Sequence, residues 1–231
     1  DIVNPDQNGV VRGIPRNRIR ELRLDNRGFT GIQNGAFQDL NLPDLSTLNL
    51  GGNNINNLQP GMFDGLENLE LLYLHNAIIY GVLPENLFNG MENLRYLNLQ
   101  NNIINQLEPG AFNGLDNLEV LNLSGNDINR LEHGTFNELD NLEVLNLSGN
   151  YFQALPENIF DGMNSLADLY LGGNNNLDLI HITTKDFLDD QFSDIDIDID
   201  DLEEYDDLEE YDDDEGLLKG EVNGGKRKKK T

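Results

Sequence analysis

The chain has 231 residues, and its 42 acidic against 15 basic residues give a formal net charge of −27. It has no cysteine, which excludes disulfides and cysteine-ligated metals, and no apolar run long enough to span a membrane. The histidines are scattered, and no phosphate-binding glycine loop or nucleophile motif occurs. We therefore expect no enzyme and no resident cofactor. With this acidic balance we also expect no nucleic-acid partner.

The N-terminal residues 1–18 precede the first periodic leucine and are predicted to form an N-terminal cap. This region and the residues just after it are rich in arginine. The arginines are Arg12, Arg16, Arg18, Arg20, Arg23 and Arg27. Their charge is complementary to that of the acidic C-terminal region, so a contact between two copies of the chain is one expected use of this cluster.

Residues 19–180 are predicted to be seven repeats of one short unit. The string DNLEVLNLSGN occurs at 116–126 and again at 140–150, 24 residues later. Aligning all units on one leucine, here called the anchor, gives Leu22, Leu48, Leu72, Leu97, Leu121, Leu145 and Leu169. A fixed period of this length predicts a solenoid in which each unit packs only on its neighbours.

Each position of the repeat has a physical interpretation. The leucines alternate around the anchor, which predicts a short strand with one buried face, and stacked strands would form a parallel sheet. An asparagine follows the strand and is predicted to bind buried backbone groups as a ladder. Its members are Asn53, Asn102, Asn126, Asn150 and Asn174. Phenylalanines recur on the returning arm and should stack: Phe37, Phe63, Phe88, Phe112, Phe136 and Phe160.

The pattern L-x-x-L-x-L-x-x-N-x-I/F, continued by x-x-L-x-x-x-x-F-x-x-L, resembles the leucine-rich repeat. It is most similar to the 24-residue class of Toll-like receptor ectodomains, variable lymphocyte receptors and small leucine-rich proteoglycans. The resemblance implies an α/β-type repeat solenoid: a curved horseshoe with a parallel concave sheet and irregular or short-helical convex arms. It also implies binding of a protein partner on the concave face. Extracellular members usually have disulfide-bonded caps, which this chain lacks.

The third repeat departs from the pattern. Ala77 stands where the ladder asparagine is expected, and the unit is one residue longer than its successor. We expect a local bulge or a shifted arm there.

The residues on either side of each anchor should point out of the concave face. Leu71, Tyr73, His75 and Tyr96 are predicted to form one partner-binding patch, with Tyr170 as a further candidate, because clustered exposed aromatics anchor interfaces. Asn122 and Asn146 begin formal N-x-S glycosylation sequons. Since both lie inside the repeated LNLSGN string, they are also explained as a by-product of the repeat.

Most of the acidic excess lies beyond the repeats, since residues 186–215 contain 18 Asp and Glu and no Lys or Arg. Residues 181–193 are predicted to form a C-terminal cap, 194–215 an acidic tail and 216–231 a flexible basic end. Isoleucines alternate with Asp194, Asp196, Asp198 and Asp200, which is strand patterning. Two interpretations stand: a solvated tail, or weak Ca²⁺ binding by the aspartates.

Two tyrosines of the tail, Tyr205 and Tyr211, lie in repeated acidic hexapeptides, where sulfation is an alternative to simple solvation. The final KRKKK is compatible with a nuclear localisation signal, a polyanion-binding segment or an appended sequence.

Three functions fit the sequence. The first is a protein-binding or adhesion module, secreted or at the cell surface. The second is an extracellular structural subunit that assembles into filaments, with the acidic tail of one copy meeting the basic cluster of another. The third is an intracellular acidic nuclear protein that binds basic partners such as histones.

Overall fold

The computed structural model describes residues 2–3, 16–174 and 196–198. A single 3₁₀ turn covers Arg16–Arg18, and the one described α-helix, α1, covers Ala36–Leu40. The strands are β1 (Ile2–Val3), β2 (Glu21–Arg23), β3 (Thr47–Asn49), β4 (Leu71–Tyr73), β5 (Tyr80–Leu83), β6 (Tyr96–Asn98), β7 (Ile103–Leu107), β8 (Val120–Asn122), β9 (Val144–Asn146), β10 (Asp168–Tyr170) and β11 (Asp196–Asp198).

Nine of these strands form one parallel sheet in the order β1-β2-β3-β4-β6-β8-β9-β10-β11. The anchor leucines lie in register along it, from Leu22 beside Leu48 to Leu145 beside Leu169. Each anchor is buried while its two strand neighbours are partly exposed in most repeats. Parallel neighbours require a crossover rather than a hairpin, so every repeat completes one coil of the solenoid. The predicted leucine-rich repeat horseshoe is confirmed.

The returning arms are built mostly from turns and pack an aromatic stack inside the coil. The six phenylalanine rings lie parallel, with centroids between 5.7 Å (Phe63–Phe88) and 6.5 Å (Phe37–Phe63) apart. The remaining neighbours, Phe88–Phe112, Phe112–Phe136 and Phe136–Phe160, are 6.1–6.3 Å apart. All six side chains are almost fully buried. The stack therefore couples each described arm to the next, as the sequence predicts.

The asparagine ladder also forms as predicted. Asn102 donates from Nδ2 to the carbonyls of Leu74 and Leu99, both at 2.9 Å. Its Oδ1 accepts the N–H groups of Ala77 at 2.9 Å and Ile79 at 3.1 Å. The same pattern of donors recurs at Asn53, Asn126, Asn150 and Asn174. Each amide joins its own coil to the preceding one, which satisfies buried backbone groups.

In the third repeat, a main-chain carbonyl takes the place of the missing asparagine side chain. At the repeats that follow, the equivalent N–H donates to an asparagine Oδ1, as Ile104 does to Asn126. The N–H of Ile55 instead donates to the carbonyl of Ala77 at 2.9 Å. The next residue, Ile78, takes a left-handed conformation with φ of 53°, which is strained for a β-branched side chain. We infer that this strain is the local cost of turning the Ala77 carbonyl inward.

A second, two-stranded parallel sheet, β5–β7, lies on the arm that leaves the ladder turn. Tyr80 pairs with Ile103 and Leu83 with Leu107, and the register shifts between Gly81 and Val82. The shift leaves Asn105 of β7 unopposed, so the bulged residue lies in repeat four and not in repeat three, where a bulge or a shifted arm is expected. The extra sheet has no counterpart in the sequence prediction.

The parallel sheet extends beyond the seven repeat strands at both ends. β1 pairs with β2, and β11 pairs with β10, with Ile197 in register with Leu169. β11 belongs to the predicted acidic tail, so the described part of the sheet has nine strands, two more than the seven repeats supply. The predicted C-terminal cap, most of the N-terminal cap and the rest of the tail lie outside the described residues.

Candidate binding surface on the parallel sheet

The concave face carries a row of residues one position after each anchor, here called the post-anchor row. Its described members are Arg23, Asn49, Tyr73, Asn98, Asn122, Asn146 and Tyr170. The asparagines have a structural role, because each Oδ1 accepts the N–H two residues later at 2.9–3.0 Å. This side-chain turn ends the strand and begins the inward bend. Asparagine is therefore the residue that the repeat itself requires here.

Arg23, Tyr73 and Tyr170 depart from this pattern. Arg23 pairs with Glu21 on its own strand at 2.6 Å. A tyrosine carries its oxygen at the far end of a rigid ring, so it cannot replace the short asparagine contact to the amide two residues later. It offers instead a large amphipathic surface on the concave face. Departures from a structural rule are where a function separate from folding is expected.

Four of the predicted site residues come together around Tyr73. The rings of Tyr73 and Tyr96 lie 5.2 Å apart at 43°, and the His75 ring meets Tyr73 edge-on at 6.2 Å. Leu71 is in register with Tyr96 on the neighbouring strand. All four side chains are half-buried. We call these residues the concave aromatic cluster.

Gly51 supports this cluster and was not singled out from the sequence. A Cβ built at position 51 would lie 2.6 Å from His75 Cε1, so the imidazole occupies the space that a side chain would need. The next residue, Gly52, has a positive φ of 64°, a left-handed backbone conformation that favours glycine at this position. Gly51 has no such conformation. Its missing side chain lets His75 lie over the neighbouring coil, a relation that no single repeat reveals.

Tyr170 does not join the cluster. Strands β8 and β9 separate its strand, β10, from β6, which places it about 14 Å along the sheet from Tyr96 at the usual strand spacing. The four residues predicted to form one patch therefore lie together, and Tyr170, the further candidate, lies apart from them.

The two sequon asparagines are held in the post-anchor row. The hydroxyl of Ser124 donates to Asn122 Oδ1 at 2.7 Å, and that of Ser148 donates to Asn146 Oδ1 at 2.6 Å. Asn122 Nδ2 donates to Gln100 Oε1 at 3.3 Å. A glycan on either nitrogen would lie on the concave face and limit access to it. Glycosylation stays a prediction.

Beside the strands lies a shallow polar depression of about 290 Å³, lined by Glu70, Asn93, Arg95, Asn117 and Glu119. Arg95 donates to both carboxylate oxygens of Glu119, at 2.8 Å and 2.9 Å. This hydrogen bond, and then the charge of Glu119, raise the pKa of Arg95. The charged groups are thus paired with each other at the surface.

The two asparagines of the depression belong to a second, exposed ladder that sequence reasoning missed. Asn93 Nδ2 donates to the Glu67 carbonyl and Asn117 Nδ2 to the Glu92 carbonyl, both at 2.8 Å. Asn68 and Asn141 make the same contact one coil away on each side. The signal was present, since these asparagines all lie four positions before an anchor. Their regular contacts give the depression a structural explanation.

Within 16–174 no three His, Asp or Glu side chains converge to hold a metal ion. No helix in the described part of the chain is long and apolar enough to cross a membrane. Asp196 and Asp198 lie in β11, whereas Asp194, Asp200, Tyr205 and Tyr211 lie outside the described residues, so Ca²⁺ binding and sulfation stay predictions.

Comparison with known families gives matches to the Leucine rich repeat model at residues 17–77, 80–128 and 116–177. The chain belongs to the leucine-rich repeat family. Among solved structures, it is similar to the TLR13 chain of a TLR13–ssRNA13 complex, with 28% identity and a TM-score of 0.58. The alignment covers 67% of this chain and only 26% of the receptor chain. A search of curated proteins gave no match.

Proposed function

We propose that this leucine-rich repeat protein is a non-enzymatic binding module that holds a protein partner on the concave aromatic cluster. The proposal rests on the replacement of the structural asparagine by Tyr73. The rings of Tyr96 and His75 lie against Tyr73 on the same face. Tyrosine is enriched at interface hot spots because it has a large, rigid contact area and a polar end.

The chemistry of the cluster favours a partner with an apolar or aromatic group at the contact. Residues 71–84 and 96–107 contain no Asp, Glu, Lys or Arg, although the chain carries a net charge of −27. A contact centred there depends on burial of rings rather than on ion pairs. We therefore expect its affinity to change little with salt, unlike a contact through the acidic tail.

The likeness to TLR13 supports a binding role for the coil but does not favour RNA as the ligand here. Phosphate recognition requires Lys and Arg, and the repeats after Arg27 contain only Arg95 and Arg130 as basic residues up to Lys185. Arg95 is already paired with Glu119. A protein partner fits the charge of the face better than a nucleic acid does.

The proposed location is extracellular, secreted or at a cell surface, and adhesion is the proposed setting. These two points rest on the 24-residue class alone. A nuclear acidic protein is the alternative, and locating the native protein in its source tissue distinguishes the two.

Self-assembly into filaments is a second candidate, favoured by the ends of the sheet. The arginine-rich entry lies near β1 and β2, whereas β11, with Asp196 and Asp198, is the outermost strand at the other end. Outer strands present unpaired backbone groups that a second copy can pair with. Such head-to-tail contacts between opposite charges should weaken steeply with added salt.

The binding proposal is tested with Tyr73→Ala and Tyr96→Ala once cross-linking in the source tissue has identified a partner. Each change should weaken binding by about 2 kcal/mol, roughly thirtyfold in Kd, if the tyrosine is a hot spot. Tyr170→Ala is the matched control, because Tyr170 occupies the same row but lies away from the cluster. An unchanged Kd in the Tyr73/Tyr96 double variant would move the site elsewhere. A single-stranded RNA titrated in parallel should show no binding.

A further inference from the structure

A second apolar surface lies on the β5–β7 sheet and has no role in the concave cluster. Ile78, Tyr80, Val82 and Ile103 are 48%, 57%, 44% and 46% exposed. Tyr80 and Ile103 are register partners across the two strands. Ile78, Tyr80 and Val82 alternate with the buried Ile79 and the partly buried Gly81, so they share the outer side of one segment. We call these four residues the flank patch.

The other large apolar side chains in 16–174 that are comparably exposed are Leu40 and Tyr151, each in a different repeat. Scattered exposed apolar residues are normal on a monomer, but four that lie next to one another on one small sheet mark an interaction surface. The two-stranded sheet that displays them, β5–β7, is formed by repeats three and four and by no other described pair of repeats. The patch is therefore a local departure from the repeat.

The flank patch lies within a charge-free part of a highly acidic chain. The segments 45–63, 71–84 and 96–107, from three consecutive repeats, contain no Asp, Glu, Lys or Arg. The rim beside the patch is polar. Gln106 pairs with Val82, and Asn105 lies between Ile104 and Gln106 on β7. Carboxylates of the described residues occur only at its border, where the Asp127 N–H donates to the Ile104 carbonyl at 2.9 Å and Glu108 Oε2 accepts the Glu85 N–H just beyond the strand ends. An apolar centre with a polar rim is the anatomy of a protein interface.

We propose that the flank patch is a self-association surface that pairs two copies of this chain about a two-fold axis. Two identical acidic chains repel each other wherever carboxylates meet, so they approach most closely where neither has charge. A two-fold contact places the same patch on both sides, and an uncharged apolar patch is complementary to itself. A charged foreign partner gains no such complementarity from this surface.

The size of the patch sets the strength of the contact. Four half-exposed side chains provide a few hundred Å², which is about the largest patch on an ordinary monomer and less than the roughly 800 Å² per partner of a standard interface. The dimer should be weak and in rapid exchange, with a Kd of about 10 μM or weaker. Salt should tighten it, because screening removes repulsion between the acidic bodies and leaves apolar burial unchanged.

The test is sedimentation velocity of the full chain over about 5 μM to 1 mM, a range that spans a weak Kd, at low and high salt. Wild type should dimerise with rising concentration and more readily at high salt. Tyr80→Asp and Tyr80→Lys should each raise the dimer Kd at least about tenfold, since either charge would be buried unpaired. The lysine variant makes the net charge less negative and so reduces the repulsion between copies. Weaker association of this variant therefore reports the loss of apolar packing rather than a gain in repulsion.

The matched control is Tyr151→Asp, which adds the same charge to a tyrosine that is 55% exposed in another repeat. It should leave the dimer Kd nearly unchanged. A chain that stays monomeric throughout, or binds a different protein at the patch while monomeric, would overturn the proposal. So would association that weakens with salt or survives both Tyr80 changes, since that behaviour belongs to the charged ends of the sheet.

Discussion

Removal of one ladder amide, Asn102→Ala, should destabilise the solenoid far more than removal of an exposed asparagine. Asn102 also accepts hydrogen bonds from the main chain of repeat three, which has no ladder asparagine of its own. Its Oδ1 accepts two main-chain N–H groups, from Ala77 and Ile79, and its Nδ2 donates to two carbonyls at 2.9 Å. The side chain is only 6% exposed, so water cannot replace these contacts without opening the coil.

The magnitude follows from the groups left behind. Each buried polar group that loses its partner costs about 1–3 kcal/mol, so the two orphaned N–H groups alone predict a loss of about 2–6 kcal/mol. Asn126→Ala should cost less, because a single N–H, that of Ile104, bonds Asn126 Oδ1. Asn105→Ala, on the exposed side of β7, should change stability by less than about 0.5 kcal/mol.

The assay is equilibrium urea unfolding followed by far-ultraviolet circular dichroism, because the chain has no tryptophan to report by fluorescence. Repeat proteins are coupled only through neighbouring units, so the Asn102 variant should also show a broader or two-step transition as the coils on either side separate. If the Asn102 and Asn105 variants had equal urea midpoints and equal transition slopes, the reasoning would be refuted. The stability of the fold would then come from the leucine and phenylalanine core alone.

Two further predictions concern the third repeat and the concave cluster. Ile78→Asn should stabilise the protein by about 0.5–1 kcal/mol, since asparagine tolerates the left-handed backbone at φ 53°. The control is Ile103→Asn, at the equivalent position of the next repeat, which does not have that conformation. It should give no gain in the same urea assay. Gly51→Ala should destabilise by displacing the His75 ring, and His75→Ala should relieve this loss in a double-mutant cycle with a coupling of about 1 kcal/mol. Additive effects would show that the ring does not occupy the space above Gly51.

Much of the candidate site could be predicted because the repeat sets the register. Once the anchors align, Tyr73 and Tyr96 must occupy neighbouring strands of one parallel sheet, and the structure places their rings 5.2 Å apart. The same rule, applied to strand order, places Tyr170 three strand spacings from Tyr96. Gly51 was missed because its role depends on a ring from the next coil, which is a contact rather than a pattern.

The sequence by itself determined the coil: its period, the buried leucines, the phenylalanine stack and the amide ladder. These follow from sequence because a unit that packs only on copies of itself repeats its contacts at the period of the chain. Only the tertiary structure decided what happens where the period fails. At Ala77 the ladder amide is missing, and the Ala77 carbonyl accepts the Ile55 N–H in its place. Ile78 takes a left-handed conformation, and the arm beyond it pairs with the next repeat as β5–β7. Such outcomes depend on which neighbouring group can reach an orphaned N–H, and that is a question of distance in three dimensions.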